Sequence, residues 1–146
     1  MKKLFLLALF ISLACVTAYG QDCTGSDAIQ KHIYHPNRLE PTGKGCITIT
    51  GKVMFRKFEP DGDVHYRIKV TDKSLVNAKN IGGFLVVEPI CMGKVTQADA
   101  KPACKKYHQT INLPNKGDTI TATGIHVLDK QHGWLELHPV TKIEIK

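Results

Sequence analysis

From Cys46 onward the chain alternates apolar and polar residues with a period of two, the spacing of a strand with one buried face. In CITITGKVMF, Ile47, Ile49, Val53 and Phe55 alternate with Thr48, Thr50, Lys52 and Met54, and Gly51 marks a bend or bulge. Asp61-Gly62 in EPDGD is a hairpin-turn pair. VHYRIKVTD then returns with Val64, Tyr66, Ile68 and Val70 inward and His65, Arg67 and Lys69 outward. GGFLVVEPI predicts a third, more uniformly apolar strand that Pro89 ends. Between Cys91 and Cys104, Thr96 and Asp99 have capping-box spacing, and Pro102 limits any helix to about one or two turns. YHQTINL predicts a short strand, and GDTITATGIHVLD and GWLELHPVTKIEIK predict two long ones joined at KQHG.

The pattern before Cys46 is helical. Ser26 is positioned to cap a helix carrying Ala28, Ile29 and Ile33, which Pro36 stops. The fold expected is therefore all-β: a five-stranded, OB-fold-like Greek-key barrel over residues 46–146, with a short helix between strands 3 and 4 and an N-terminal helical arm over 21–45. A β-sandwich is the competing architecture, and five main strands are few for one. Ile47, Ile49, Val53, Tyr66, Ile68, Leu135 and Leu137 are the expected core.

Residues 1–20 have Lys2 and Lys3, an apolar run from Leu4 to Ala14 and the small-residue end Ala18-Tyr19-Gly20, which is the pattern of a secretory signal peptide. Cleavage there leaves 126 of the 146 residues and lowers the net charge from +7 to +5, a mildly basic single domain without a run of like charge. No later stretch is apolar enough to form a transmembrane helix. The expected location is secreted or periplasmic, with lipid attachment at Cys15 as the rival. Cys23, Cys46, Cys91 and Cys104 remain, an even count that reads as two disulfides. Spacing favours Cys91 with Cys104 and Cys23 with Cys46, each closing a short loop, and no pair has structural-zinc spacing.

The chemistry concentrates in HGWLELHP, where Trp134, Glu136 and His138 share one strand face and Leu135, Leu137 and Pro139 the other. With the leucines inward, the Trp-Glu-His row faces outward or into a groove, and hairpin register decides whether His126 joins it. An OB barrel binds on strands 2 and 3 and on the loops between strands 1 and 2 and strands 4 and 5. Those loops are EPDGDVH and LDKQHGW here, so the candidate binding residues are Asp61, Asp63, His65, Glu88, His132, Trp134, Glu136 and His138. Each has a plain structural reading: Asp61-Gly62-Asp63 as turn chemistry, Glu88 as a strand-end polar residue, Trp134 as a lid on a small core.

NRLEPTGKGCITITGKV, DGDVHYRI, VVEPIC and HGWLELHP resemble the recurrent blocks of a group of uncharacterised secreted bacterial proteins, over Asn37 to the C-terminus. That resemblance implies no activity. A looser similarity is to thermonuclease-type OB-folds, in which an Asp-Gly-Asp segment helps to bind calcium. The chain departs from them in placing His65 two residues after Asp63 and in lacking a matching set of arginines and glutamate, which speaks against nuclease activity.

The leading functional expectation is an exported, non-catalytic binding module. Its face would combine Trp134 with Lys52, Arg56, Arg67 and Lys69 and hold an extracytoplasmic ligand: an oligosaccharide, an anionic polymer or a protein. Nucleic acid fits less well, since single-strand grooves carry several aromatics and this face has one tryptophan with Tyr66 or Phe58. No motif demands a cofactor, and none sets an oligomeric state; zinc or calcium are the ions that the histidine and carboxylate groups suit. The alternative is a metal-dependent hydrolase with His65, His132 and His138 as ligands and Glu136 or Glu88 as base. A third reading makes the polar cluster a structural network pinning the final hairpin. The intact mass of the exported protein should match a chain that starts at Gln21 and has lost four hydrogens; four free thiols would overturn the disulfide framework.

Overall fold

The computed structural model describes Cys23 and residues 25–146, so the expected leader over 1–20, with Cys15, lies outside the described residues. Five strands carry the architecture: β1 (Leu39–Phe58), β2 (Val64–Lys69), β3 (Leu85–Val87), β4 (Thr119–Asp129) and β5 (Leu135–Ile145). They pair in the order β1-β2-β3-β5-β4, and β4 returns to β1 to close the ring. Every pairing is antiparallel except that of β3 with β5. Closure depends on the length and curvature of β1. Its Cys46–Lys52 stretch runs along β4, and from Lys52 onward it pairs with β2.

Two local devices bend β1. At Gly51, an added Cβ would lie 2.5 Å from Ile68 Cγ2 and 2.6 Å from Lys69 O, so the strands cross too closely for any side chain. The register shift itself falls later, between Val53 and Phe55, where Met54 is the extra residue of a bulge.

The ring encloses a core supplied by the period-two positions: Ile49, Val53, Val64, Tyr66, Ile68, Leu85, Val87, Ile120 and Leu137, with Val140 closing one side. Fully burying such an aliphatic side chain contributes about 1.5–3 kcal/mol. Of the expected core, Ile49, Val53, Tyr66, Ile68 and Leu137 are buried, whereas Ile47 and Leu135 are half-buried. Tyr66 spans the core and donates its hydroxyl to Pro114 O at 3.3 Å.

Several boundaries differ from the sequence expectation for physical reasons. The first strand begins at Leu39, not Cys46, because Leu39, Glu40 and Pro41 pair with Asp129, Leu128 and Val127 before a shift between Pro41 and Cys46. Pro41, Gly43 and Gly45 hide that strand from a periodicity reading. Ahead of it lie a five-residue helix, α1 (Ser26–Gln30), and a 3-10 turn at Pro36–Arg38; Gly25 rather than Ser26 occupies the cap position. YHQTINL forms no strand, since Gln109 takes the Ile90 N–H on its Oε1 and donates to Val140 O in place of a ladder. The Thr96/Asp99 pair caps nothing: Thr96 donates to Pro60 O, Asp99 accepts from Tyr34, and only a 3-10 turn, Ala98–Ala100, forms. Cys23–Cys46 and Cys91–Cys104 are both disulfides, each closing a loop worth roughly 3 kcal/mol in the chain-entropy model. Among the described residues no helix is long and apolar enough to cross a membrane.

Gly51→Ala should cost about 1–3 kcal/mol by overpacking against Ile68 and the Lys69 carbonyl. Denaturant unfolding should show a lower midpoint with an unchanged slope, and an unchanged midpoint would refute the close crossing.

Candidate functional site

Sheet register assembles the site. Tyr66 pairs with Val87 and Val87 with Leu137, all three facing the core. The next position along each strand therefore places His65, Glu88 and His138 side by side on the opposite face. The ladder continues through Glu88, whose N–H donates to Leu137 O at 3.1 Å. A pocket of about 430 Å³ lies over this row, and every residue in the sequence-derived set lines it: Asp61, Asp63, His65, Glu88, His132, Trp134, Glu136 and His138.

Glu88 is the hub. Its Oε1 lies 2.8 Å from His65 Nδ1 and its Oε2 lies 3.1 Å from His138 Nδ1. The same His138 nitrogen is 3.1 Å from Glu136 Oε1, while Glu136 Oε2 accepts from Trp134 Nε1 at 2.7 Å. Carboxylates only accept, so each Nδ1 carries its proton toward Glu88. The other nitrogens, His65 Nε2 and His138 Nε2, are buried with no partner among the described residues, on side chains only 7% exposed. On the adjoining loop, Asp61 accepts the Asp63 N–H at 3.1 Å and Asp63 accepts the Cys91 N–H at 2.8 Å. Gly62 between them has φ 100°, with Val95 Cγ2 only 2.8 Å from where a Cβ would stand. Glycine alone permits that turn.

Burial and neighbouring charge sort the acids. Burial pushes Asp63 up to about 7, against partial relief from the His138 charge, and it also raises Asp61. Burial would raise Glu88 too, but the hydrogen bonds from His138 and His65 outweigh it and hold this carboxyl below its usual range. Glu136 is raised by burial and by the Glu88 charge. For His138, burial opposes protonation, but hydrogen bonds to Glu136 and Glu88 override it and keep the ring cationic well above its ordinary range. The floor therefore sets an ionised Glu88 and an imidazolium beside Asp61, Asp63 and Glu136, three acids that burial shifts toward their protonated forms.

The mouth is aromatic. Trp134 stacks on His132 with ring centroids 4.1 Å apart and meets His65 edge-on at 5.4 Å. His132 is 44% exposed in its side chain and held by Asp129 Oδ2 at 2.6 Å. It belongs to the rim and not to the buried histidine pair, so the expected metal set of His65, His132 and His138 does not assemble. His126 also stays apart: it pairs with Leu137, is buried on the core side and binds Thr42 Oγ1 and Leu75 O.

Of the expected basic face, Arg67 alone lines the pocket. Lys52 and Lys69 pair with each other at the far end of β1 and β2, and Arg56 turns away to Pro114 O and Asn115. For Arg56 the Met54 bulge is the cause: it shifts face parity by one residue, moving Phe55 off the apolar face that alternation gives it and setting it opposite Arg67. Arg67 lies 4.8 Å over the Phe55 ring, and Lys57 enters the rim. Sequence reasoning also missed Tyr34, Arg38, Gln97 and Asp129. Tyr34 and Gln97 meet across the mouth, with Gln97 Nε2 donating to the Tyr34 hydroxyl at 2.8 Å. No local signal marks these four, although Asp129 in an Asp-Lys-Gln-His turn is a recognisable Asx acceptor, and it takes the Gln131 N–H at 2.7 Å.

A scan against protein-family models found no match to the chain, and a search of curated proteins found none.

Asp63 generates a pH prediction. An acid whose pKa rises on folding, here from 3.8 to about 7, favours the folded state less and less as pH climbs between those values, and the loss is constant above the upper one. Asp63→Asn keeps the acceptor for Cys91 but removes the charge. In EDTA, the stability of the variant relative to wild type should grow from pH 4 to pH 7 by at most about 4 kcal/mol and then level off. A pH-independent difference would refute the buried-acid assignment.

Proposed function

We propose that the protein is an exported, non-catalytic binding module with an OB-type Greek-key barrel, and that its pocket receives a short oligosaccharide. The cyclic strand order with β3 beside β5 supports that fold, as does a pocket set on β2 and β3 between the β1–β2 and β4–β5 loops. Helix α1 and the Pro36–Arg38 turn act as a helical arm, tied to β1 by Cys23–Cys46. Two disulfides and the leader pattern support a secreted or periplasmic location, with Cys15 lipidation as the rival.

One observation carries the binding reading: two imidazole nitrogens on the pocket floor are buried and unpartnered among the described residues. A network serving structure alone would satisfy its own members, since each unpaired buried polar atom costs about 1–3 kcal/mol. The walls indicate the ligand class. Trp134 and Phe55 offer apolar surfaces, and six carboxylate-bearing side chains against three Lys and Arg disfavour a polyanion. Sugar hydroxyls both donate and accept, which suits so mixed a lining, and about 430 Å³ falls in the range of small-molecule sites.

Trp134 is the sole tryptophan, so intrinsic fluorescence reports on this site directly. Titration with neutral, amino and acidic oligosaccharides should give a saturable change with at least one class, and His65→Gln should weaken it about tenfold or more by removing a floor contact. Flat emission across all three classes would overturn the proposal.

A further inference from the structure

We propose that Lys31, Lys101, Lys105 and Lys106 form a docking surface for an acidic polysaccharide, separate from the pocket and independent of what the pocket holds. All four side chains are exposed. Lys101, Lys105 and Lys106 share one turn, KPACKKYH over 101–108, which carries no acidic residue and is fixed at its base by Cys91–Cys104. The turn is closed by the Ala103, Lys105 and Tyr107 N–H groups, which donate to the carbonyls of Ala100, Pro102 and Cys104. Lys31 arrives from the N-terminal arm. Its neighbour His32 stacks on Tyr107 with ring centroids 3.9 Å apart and donates from Nδ1 to Ala103 O at 2.7 Å. Asp99, the acid just before the turn, accepts from Tyr34. Among the described residues the lysine ion pairs are Lys57–Glu59 and Lys142–Glu144, so none of the four is paired, not even with Asp27 on the same arm.

A second observation separates this patch from ordinary solvated lysines. Among the described residues three that are not glycine have a left-handed backbone: His35, Cys91 and Lys106. His35 lines the pocket, and Cys91 is held by its disulfide and by Asp63. Lys106, at φ 60°, is exposed and unpaired, in a conformation that glycine adopts freely and lysine only under strain. Folding alone favours glycine there, so the lysine serves what its charge meets outside. The surroundings indicate the partner. Compact ammonium charges suit the carboxylates of a flexible acidic chain. The exposed large apolar side chains, Phe58, Ile81 and Ile145, lie outside the turn, which leaves it no anchor for a bilayer core. Tyr107 is half-buried against His32, which leaves no open phenyl or indole ring for the base stacking of single-stranded nucleic acid.

The test titrates end-labelled alginate oligomers with tag-free, oxidised protein and follows fluorescence anisotropy. Binding should be saturable, absent with neutral dextran oligomers, and weaker by about tenfold or more at 200 mM salt than at 50 mM. Lys105→Gln combined with Lys106→Gln should weaken it about fivefold or more. Lys52→Gln combined with Lys69→Gln removes the same charge at the opposite end of the β1–β2 hairpin, about 20 Å along the strands, and should leave affinity within about twofold. Lys106→Gly should weaken binding yet raise the melting temperature by about 2 °C or more, because glycine relieves the backbone. No binding of alginate would overturn the surface, as would full binding by the Lys105 and Lys106 double variant or an equal loss in the Lys52 and Lys69 control. So would a melting temperature that does not rise on Lys106→Gly. Binding of phosphatidylglycerol vesicles or of oligodeoxythymidylate as tight as that of alginate would overturn the choice of partner.

Discussion

The site hangs on one buried carboxylate. Glu88 sits between two imidazoles, and its desolvation is tolerable only because His65 and His138 each direct an Nδ1 proton at it. Removing one member of a buried charge pair typically costs about 3–5 kcal/mol, because the survivor is stranded. The three residues come from positions 65, 88 and 138, and no two of their parent segments are joined by a simple hairpin. What unites them is the insertion of β3 between β2 and β5, with one antiparallel and one parallel neighbour. The pairings that seat β3 in the ring are thus the ones that assemble the site.

The same arrangement explains how several acids share so small a volume. Ionising Asp61, Asp63, Glu88 and Glu136 together without compensation would be prohibitive in a medium of low dielectric constant. Charge is instead concentrated on Glu88, where two imidazoles answer it, while burial shifts Asp63 and Glu136 toward their neutral forms. Trp134 joins this network through its indole N–H, so the aromatic mouth is locked to the charged floor by Glu136.

Much of this was legible in the sequence because it is periodic. Alternation located β2, β4 and β5, and it placed Leu137 inward and Trp134, Glu136 and His138 on the other face, where the structure has them. All eight residues chosen for their chemistry line one pocket, because the strands and loops that carry them converge there. The errors arise where parity or distance intervenes. The bulge at Met54 inverts the faces beyond it, so Phe55 left the apolar face that alternation gives it and Lys57, not Arg56, reached the rim. His132 looks like a ligand in the one-dimensional motif but is drawn aside by Asp129 and Trp134. The early start of β1 is masked by a proline and two glycines, and the Tyr34–Gln97 bridge spans 63 residues, beyond any local pattern.

The two disulfides do not cross-link the ring's core. One ties the N-terminal arm to the flank of β1, and the other closes the loop that follows β3. Those are the segments that bring Tyr34 and Gln97 to the mouth, whereas the floor is written in the strands. The Tyr34–Gln97 side of the rim and the floor are thus secured by different means, one by covalent staples and the other by hydrogen-bonded register. Selection can therefore lengthen, shorten or recompose the stapled segments, and so change what is admitted, without disturbing the register that sets the chemistry beneath.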